Sequence, residues 1–184
     1  MACLNWKKIS MKKITAKSCF YTFAQILSPT NQSYVTSSTF DDCYSSFSIS
    51  NGNFQFNSTT FTNYNQDHAA NIQLESCLTV FISECSFDLS PDIFSILASL
   101  TPTIKVVNSV FYNHTTIEIE NSYMIMISCC FEQNESVSIN HLENVAFYLS
   151  RFSVKCPFVL PTPTVERDKR PFAILTMIVY ITFF

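Results

Sequence analysis

The sequence predicts an all-β solenoid, a right-handed parallel β-helix of about seven coils, on three observations. A phenylalanine preceded two positions earlier by a small side chain recurs as Ser18-Cys19-Phe20, Ser38-Thr39-Phe40, Thr59-Thr60-Phe61, Cys85-Ser86-Phe87, Ser109-Val110-Phe111, Cys129-Cys130-Phe131 and Ser150-Arg151-Phe152, at intervals of 20 to 26 residues, and a fixed period of this size is the signature of stacked repeats. The tracts before these phenylalanines alternate in polarity, as in 78–87, which assigns strand instead of helix. The composition, with 18 Phe, 8 Tyr and a single Gly among many Ser, Thr, Asn and Ile, suits pleated strands joined by polar bends.

The first 17 residues form a basic segment in which Lys7, Lys8, Lys12, Lys13 and Lys17 crowd together. The apolar run that follows is broken by Thr22 and Gln25 and falls in phase with the repeat, so it reads as a first coil and not as an export signal.

The β-helix is expected over 18–155. Each coil carries a second alternating tract, such as Ile72-Gln73-Leu74, Ile117-Glu118-Ile119 and Val137-Ser138-Ile139. In a β-helix equivalent residues of adjacent coils stack about 4.8 Å apart. Phe20, Phe40, Phe61, Phe87, Phe111, Phe131 and Phe152 would therefore form one wall of the lumen. The Ser, Thr or Cys two residues earlier faces the same way and leaves room for the ring. The two longest intervals, 61–87 and 87–111, contain insertions expelled sideways as loops; the run after Pro91-Asp92 reads as a helical turn or as loop. Asn51-Gly52 is a turn signal.

A proline-rich and charged linker follows at 156–170, where prolines lack the donors a sheet needs. Residues 171–184 form a hydrophobic tail whose last 13 positions carry no charge. A membrane span needs about twenty, so three readings stay open: part of a transmembrane segment, a short tail, or an element that caps the open coil.

The S-x-F and C-x-F coils resemble those of right-handed β-helix repeat proteins. The likeness is to the large Ser/Thr/Asn/Cys/Phe-rich surface proteins of protists and the polymorphic outer-membrane proteins of some bacteria. It covers 18–152 and implies a module at a membrane or cell surface.

Neither a G-x-G-x-x-G nor a G-x-x-x-x-G-K-[ST] pattern occurs, which removes the usual phosphate cradles. The mildly acidic body, with a formal net charge of -3 for the whole chain, argues against nucleic acid as a partner. Eight cysteines show no zinc spacing, and no metal or cofactor is expected. Cys85 and Cys129 read as buried thiols. Cys129 and Cys130, being neighbours on a strand, point to opposite faces. A disulfide between coils fits the architecture, but the partners stay open. Asn31, Asn57, Asn113 and Asn134 begin N-x-[ST] sequons and are the glycosylation candidates; Asn113 and Asn134 fall just after their coil's Phe.

No catalytic residue is expected. A polysaccharide-cleaving β-helix would set carboxylates and a base on the outside of consecutive coils. Asp41, Asp42, Asp67, His68, Asp88, Asp92, Lys105 and Arg151 lie at different offsets from the repeating Phe, which predicts no shared patch. Arg151 points outward, where Glu84 is one acidic partner.

The reading is a non-enzymatic surface module that binds a protein or glycan, with Tyr34, Tyr64, Tyr112 and Tyr148 as stacking candidates and membrane association through the tail. Two alternatives stand beside it: a structural or truncated repeat fragment, and a polysaccharide lyase or hydrolase of the pectate-lyase-like type.

Overall fold

A computed structural model describes residues 3–4, 8–18, 22–27, 32–43, 45–63, 70–89, 93–113, 115–132, 137–153 and 155–156. The chain is an all-β parallel solenoid. Its strands form one twelve-stranded and one seven-stranded sheet. Every pairing between them is parallel.

The twelve-stranded sheet folds into two faces, because Ser45–Asn57 and Ala70–Ser83 run through its corner without a break. On the first face Phe47, Ile72, Ile96, Ile117 and Ile139 stand in register. On the second the column is Val35, Phe56, Ile82, Val106, Met126 and Phe147. The seven-stranded sheet closes the third side, running from Thr15–Lys17 to Arg151–Ser153. The alternation read from the sequence thus places one residue in two inside the lumen, as in Ile104–Val107, where Ile104 and Val106 are buried and Lys105 is exposed.

On the third side Phe40, Phe61, Phe87, Phe111, Phe131 and Phe152 stack with ring centroids 5.6, 5.1, 4.9, 4.8 and 4.8 Å apart in turn. The planes tilt by at most 17° between neighbours. Phe40 to Phe131 are wholly buried, whereas Phe152 is 47% exposed because no described coil follows it. Phe20 lies outside the described residues. The position opposite Phe40 in the preceding coil belongs to Ala16, so the column begins with a small residue where Phe20 was expected. The basic stretch 1–17 also contributes strands, Ser10–Lys12 and Thr15–Lys17, to the two sheets. Its lysines do not prevent this, since alternation turns Lys12 and Lys17 outward while Ala16 points in.

The corners share one device. Between the second and third faces Lys13, Ser37, Ser58, Glu84, Asn108, Ser128 and Leu149 each take a left-handed backbone conformation, with φ from 47° to 57°. The amide of each of the first six reaches a carbonyl of the next coil, as Ser58 N–H does to Ser83 O at 3.0 Å. At every one of these corners but Lys13, which Ile14 follows, the next residue is small and turns its hydroxyl or thiol back to the carbonyl two positions earlier: Ser38 to Thr36, Thr59 to Asn57, Cys85 to Ser83, Ser109 to Val107, Cys129 to Ile127 and Ser150 to Tyr148. Between the first and second faces Ser76, Leu100 and Asn121 are left-handed, and Cys77, Thr101 and Ser122 follow with the same back-bond. Only Asn51-Gly52 places the chain's glycine in such a bend, with φ of 59° and 108°. The side chain thus replaces water as the partner of a backbone group in a dry corner.

The helical turn considered after Pro91-Asp92 is a strand from Phe94 onward, Phe94–Ser99; 90–92 lie outside the described residues. So do 157–184, which hold most of the expected linker and the whole tail. No helix among the described residues is long and apolar enough to cross a membrane.

Candidate functional site

Cys129 lies in the lumen and Cys130 outside it, as strand alternation requires. Cys130 forms a disulfide with Cys156. The segment after the last coil therefore comes back over the outer side of the third sheet, where Val110, Cys130 and Cys156 bury one another beside Tyr112. Cys43, Cys77, Cys85 and Cys129 are buried thiols. Burial pushes the Cys85 thiol up to about 12 and those of Cys77 and Cys129 up to about 11. Such thiols are poor nucleophiles and poor metal ligands.

The sheet brings together two of the acidic residues expected to lie apart. Asp41 and Asp88 occupy one outer column, with Thr62 between them and Tyr112 beyond. Both follow their coil's Phe directly, so against the expectation of no shared patch these two share an offset, while the other candidates do not. The Asp41 carboxylate accepts a hydrogen bond from Thr62 Oγ1 at 2.7 Å and an ion pair from Lys17 at 3.1 Å. The Thr62 bond first, and Lys17 after it, hold Asp41 below the ordinary carboxylate range against partial burial. Tyr112 is raised by burial and then by the negative charges of Glu132 and Asp88. Each member of this column thus has a structural partner.

The remaining candidates are dispersed. Lys105 Nζ lies 6.0 Å from the Phe81 ring centre, and Asp42 sits at a left-handed corner. Glu84 accepts from Ser58 Oγ at 2.8 Å, and Arg151 stands on the last strand of the third sheet, paired in register with Cys130. Asp67, His68 and Asp92 lie outside the described residues. Among the described residues no three His, Cys, Asp or Glu side chains are grouped to hold a metal ion.

A concave surface forms instead at the corner between the first and second faces, toward the C-terminal end. It is an open cleft of about 850 Å³ lined by Glu118, Glu120, Tyr123, His141, Glu143 and Asn144, with Pro102, Asn121 and Ser122. The left-handed Asn121 turns the chain, Ser122 faces inward and donates to Glu120 O at 2.9 Å, and alternation then sends Tyr123 outward, 41% exposed. Opposite stands a short 3-10 turn, Leu142–Asn144. There His141 Nδ1 and Glu143 Oε1 are 3.3 Å apart. The Glu143 carboxylate is lowered by its own backbone N–H and then by His141.

Tyr123 was not among the tyrosines singled out in the sequence; its place immediately after a small corner residue is the signal that marks it. Of those that were, Tyr34 is half-buried with Lys8 Nζ 5.2 Å from its ring centre, Tyr148 is exposed, and Tyr64 lies outside the described residues. Among the sequons, Asn57 closes the strand Ser45–Asn57 and its side-chain oxygen accepts from Ser83 Oγ at 2.8 Å. Asn113 ends Val110–Asn113, while Asn31 and Asn134 lie outside the described residues.

No protein-family model, curated protein or solved structure matches the chain.

Proposed function

We propose that this protein is a non-enzymatic extracellular module, a right-handed β-helix of about seven coils that binds an extended glycan or protein segment at its corner cleft. The observation that carries the reading is the exposed Tyr123 ring standing among Glu118, Glu120, Glu143 and His141 on a stacked, hydrogen-bonded scaffold. An aromatic face offers stacking area at small entropic cost, and flanking carboxylates and amides accept or donate hydrogen bonds to hydroxyls. The negative rim favours neutral sugars or basic peptide segments over polyanions, the substrates of the lyase alternative.

The Cys130–Cys156 disulfide supports an oxidising compartment, since such bonds persist outside the cytosol. Right-handed winding follows the strong preference of parallel strand crossovers.

A glycan array combined with capture of basic peptides tests the proposal. Retention of one ligand class by the native chain is expected, with at least a tenfold loss in Tyr123→Ala and no change in melting temperature. Equal retention by Tyr123→Ala, or none by either protein, would overturn it.

A further inference from the structure

The outer side of the second face differs from the other two in charge. The first face carries Glu75, Glu118 and Glu120 on its strands, and the third carries Asp41, Asp88 and Glu132. The strands of the second, from Ser10–Lys12 to Val145–Tyr148, hold no carboxylate. Alternation turns Lys12 and Lys105 outward on them, Lys8 lies against the ring of Tyr34, and Lys13 stands at the corner. All four lysines are exposed. Two carboxylates stand at the borders: Glu84, which accepts from Ser58 Oγ at one corner, and Glu143 beside His141 at the other.

Apolar side chains project from the C-terminal half of the same face. Val107, Ile125 and Ile127 point outward and are only half-buried, and Tyr148 is exposed. Leu100 on one border and Leu149 on the other are 57% and 88% exposed. Both sit at left-handed corners, with φ of 51° and 53°. That conformation is sterically disfavoured for a bulky apolar residue, which has none of the local hydrogen bonds open to Asn or Asp. Every other left-handed corner residue among those described, Gly52 aside, is polar. Neither backbone geometry nor core packing therefore selects these two leucines, which flank one face.

The charge pattern chooses between occupants. A second copy docked about a twofold axis would set lysines against lysines with no carboxylate on the face to receive them. An anionic lipid surface suits both halves: its headgroups attract the lysines, while Leu100, Leu149 and Tyr148 enter the boundary with the acyl chains. Tyr and Lys both place an apolar body in such a boundary and keep a polar end in water. The face is roughly 29 Å long over six coil spacings of about 4.8 Å, and the two acidic faces turn away from it.

We propose that the second face docks on an anionic lipid membrane, with Leu100 and Leu149 as its anchors and Lys12 and Lys105 as its headgroup contacts. Neither the corner cleft nor Tyr123 enters this inference, so cleft binding and membrane docking fail independently.

Co-sedimentation of the full chain with vesicles of phosphatidylcholine, with and without phosphatidylserine, tests it. The native protein is compared with the double variants Leu100→Asn/Leu149→Asn and Lys12→Gln/Lys105→Gln. Asparagine is the residue that the chain already uses at the left-handed corners Asn108 and Asn121, so the leucine variant should keep its melting temperature. The native chain is expected to partition at least tenfold more strongly onto the phosphatidylserine vesicles. Each double variant should lose about tenfold of that partition, since a lysine near an anionic surface contributes about fivefold. Equal partition of the native protein and the leucine variant overturns the proposal and assigns attachment to another part of the chain. So does equal partition onto both kinds of vesicle, or onto neither. Concentration-dependent dimers lost in the leucine variant, without vesicle binding, assign the face to a second copy. Lysine-dependent retention on polyglutamate without vesicle binding assigns it to an acidic protein. A melting temperature lowered in the leucine variant makes the leucines structural and equally overturns the proposal.

Discussion

Phe111 sits between Phe87 and Phe131 with ring centres 4.9 and 4.8 Å away and no exposed surface. Removing its ring leaves a hole bounded by flat neighbours that are themselves held by two further rings, so the column has little freedom to collapse. Phe111→Ala is expected to lower unfolding free energy by about 3–5 kcal/mol; a denaturant titration showing less than about 1 kcal/mol would mean that the column is not a structural wall. The corner thiols give a pH-dependent counterpart. An unfolded chain ionises its cysteines near pH 8.5, whereas in the folded chain burial raises Cys85 to about 12 and Cys77 and Cys129 to about 11. The unfolded state therefore sheds protons first, and the stability these thiols contribute, complete below about pH 8.5, is lost as pH rises toward 11 and 12. Ser109 and Ser150 fill the same corner column as Cys85 with the same back-bond. Cys85→Ser should accordingly lie within about 1 kcal/mol of the native protein at pH 7. Its melting temperature should fall less steeply between pH 8 and 10.5, and identical slopes would refute the assignment.

At the scale of elements, the disulfide joins the segment after the last strand to the outer side of a strand one coil earlier. It closes a loop of sequence separation 26, for which chain-entropy reasoning gives about 3–4 kcal/mol. The double change Cys130→Ala and Cys156→Ala is expected to lower stability by about 2–4 kcal/mol, and a shift below about 0.5 kcal/mol would show that the return segment is held by other contacts. The strands themselves were legible because a large ring and a small back-bonding residue recur together, with a left-handed corner before them that is polar everywhere but at Leu149. The coil of Thr15–Lys17 was not, because Ala16 stands there in place of the ring that marks the other repeats. The disulfide partner was hidden for a different reason, since Cys156 lies past the end of the repeat, where sequence separation no longer translates into distance.

For the whole molecule, the architecture followed from periodicity, while the cleft did not, because it is lined by outward side chains that no core constrains to recur. Glu118 stands opposite Asn140 in the next coil, and the left-handed His141 follows it, so the acidic pair Glu118 and Glu120 is not repeated there. A repeat motif fixes what neighbouring coils have in common, and a recognition surface consists of what they do not share.

The corner device has a consequence for how such a chain changes length. Each coil joins its neighbours through parallel strand pairs on its three faces. The larger spacing from Phe61 to Phe87 is absorbed between Thr60–Asn63 and Ala70–Ser83 without disturbing the stack of the two rings. Insertions of any size at that bend, or gain and loss of an entire turn, keep every remaining seam matched, whereas adding one residue inside a strand inverts the facing of all that follow in it. Lineages carrying this chain should therefore vary by whole turns and by bend length, and hold strand length fixed.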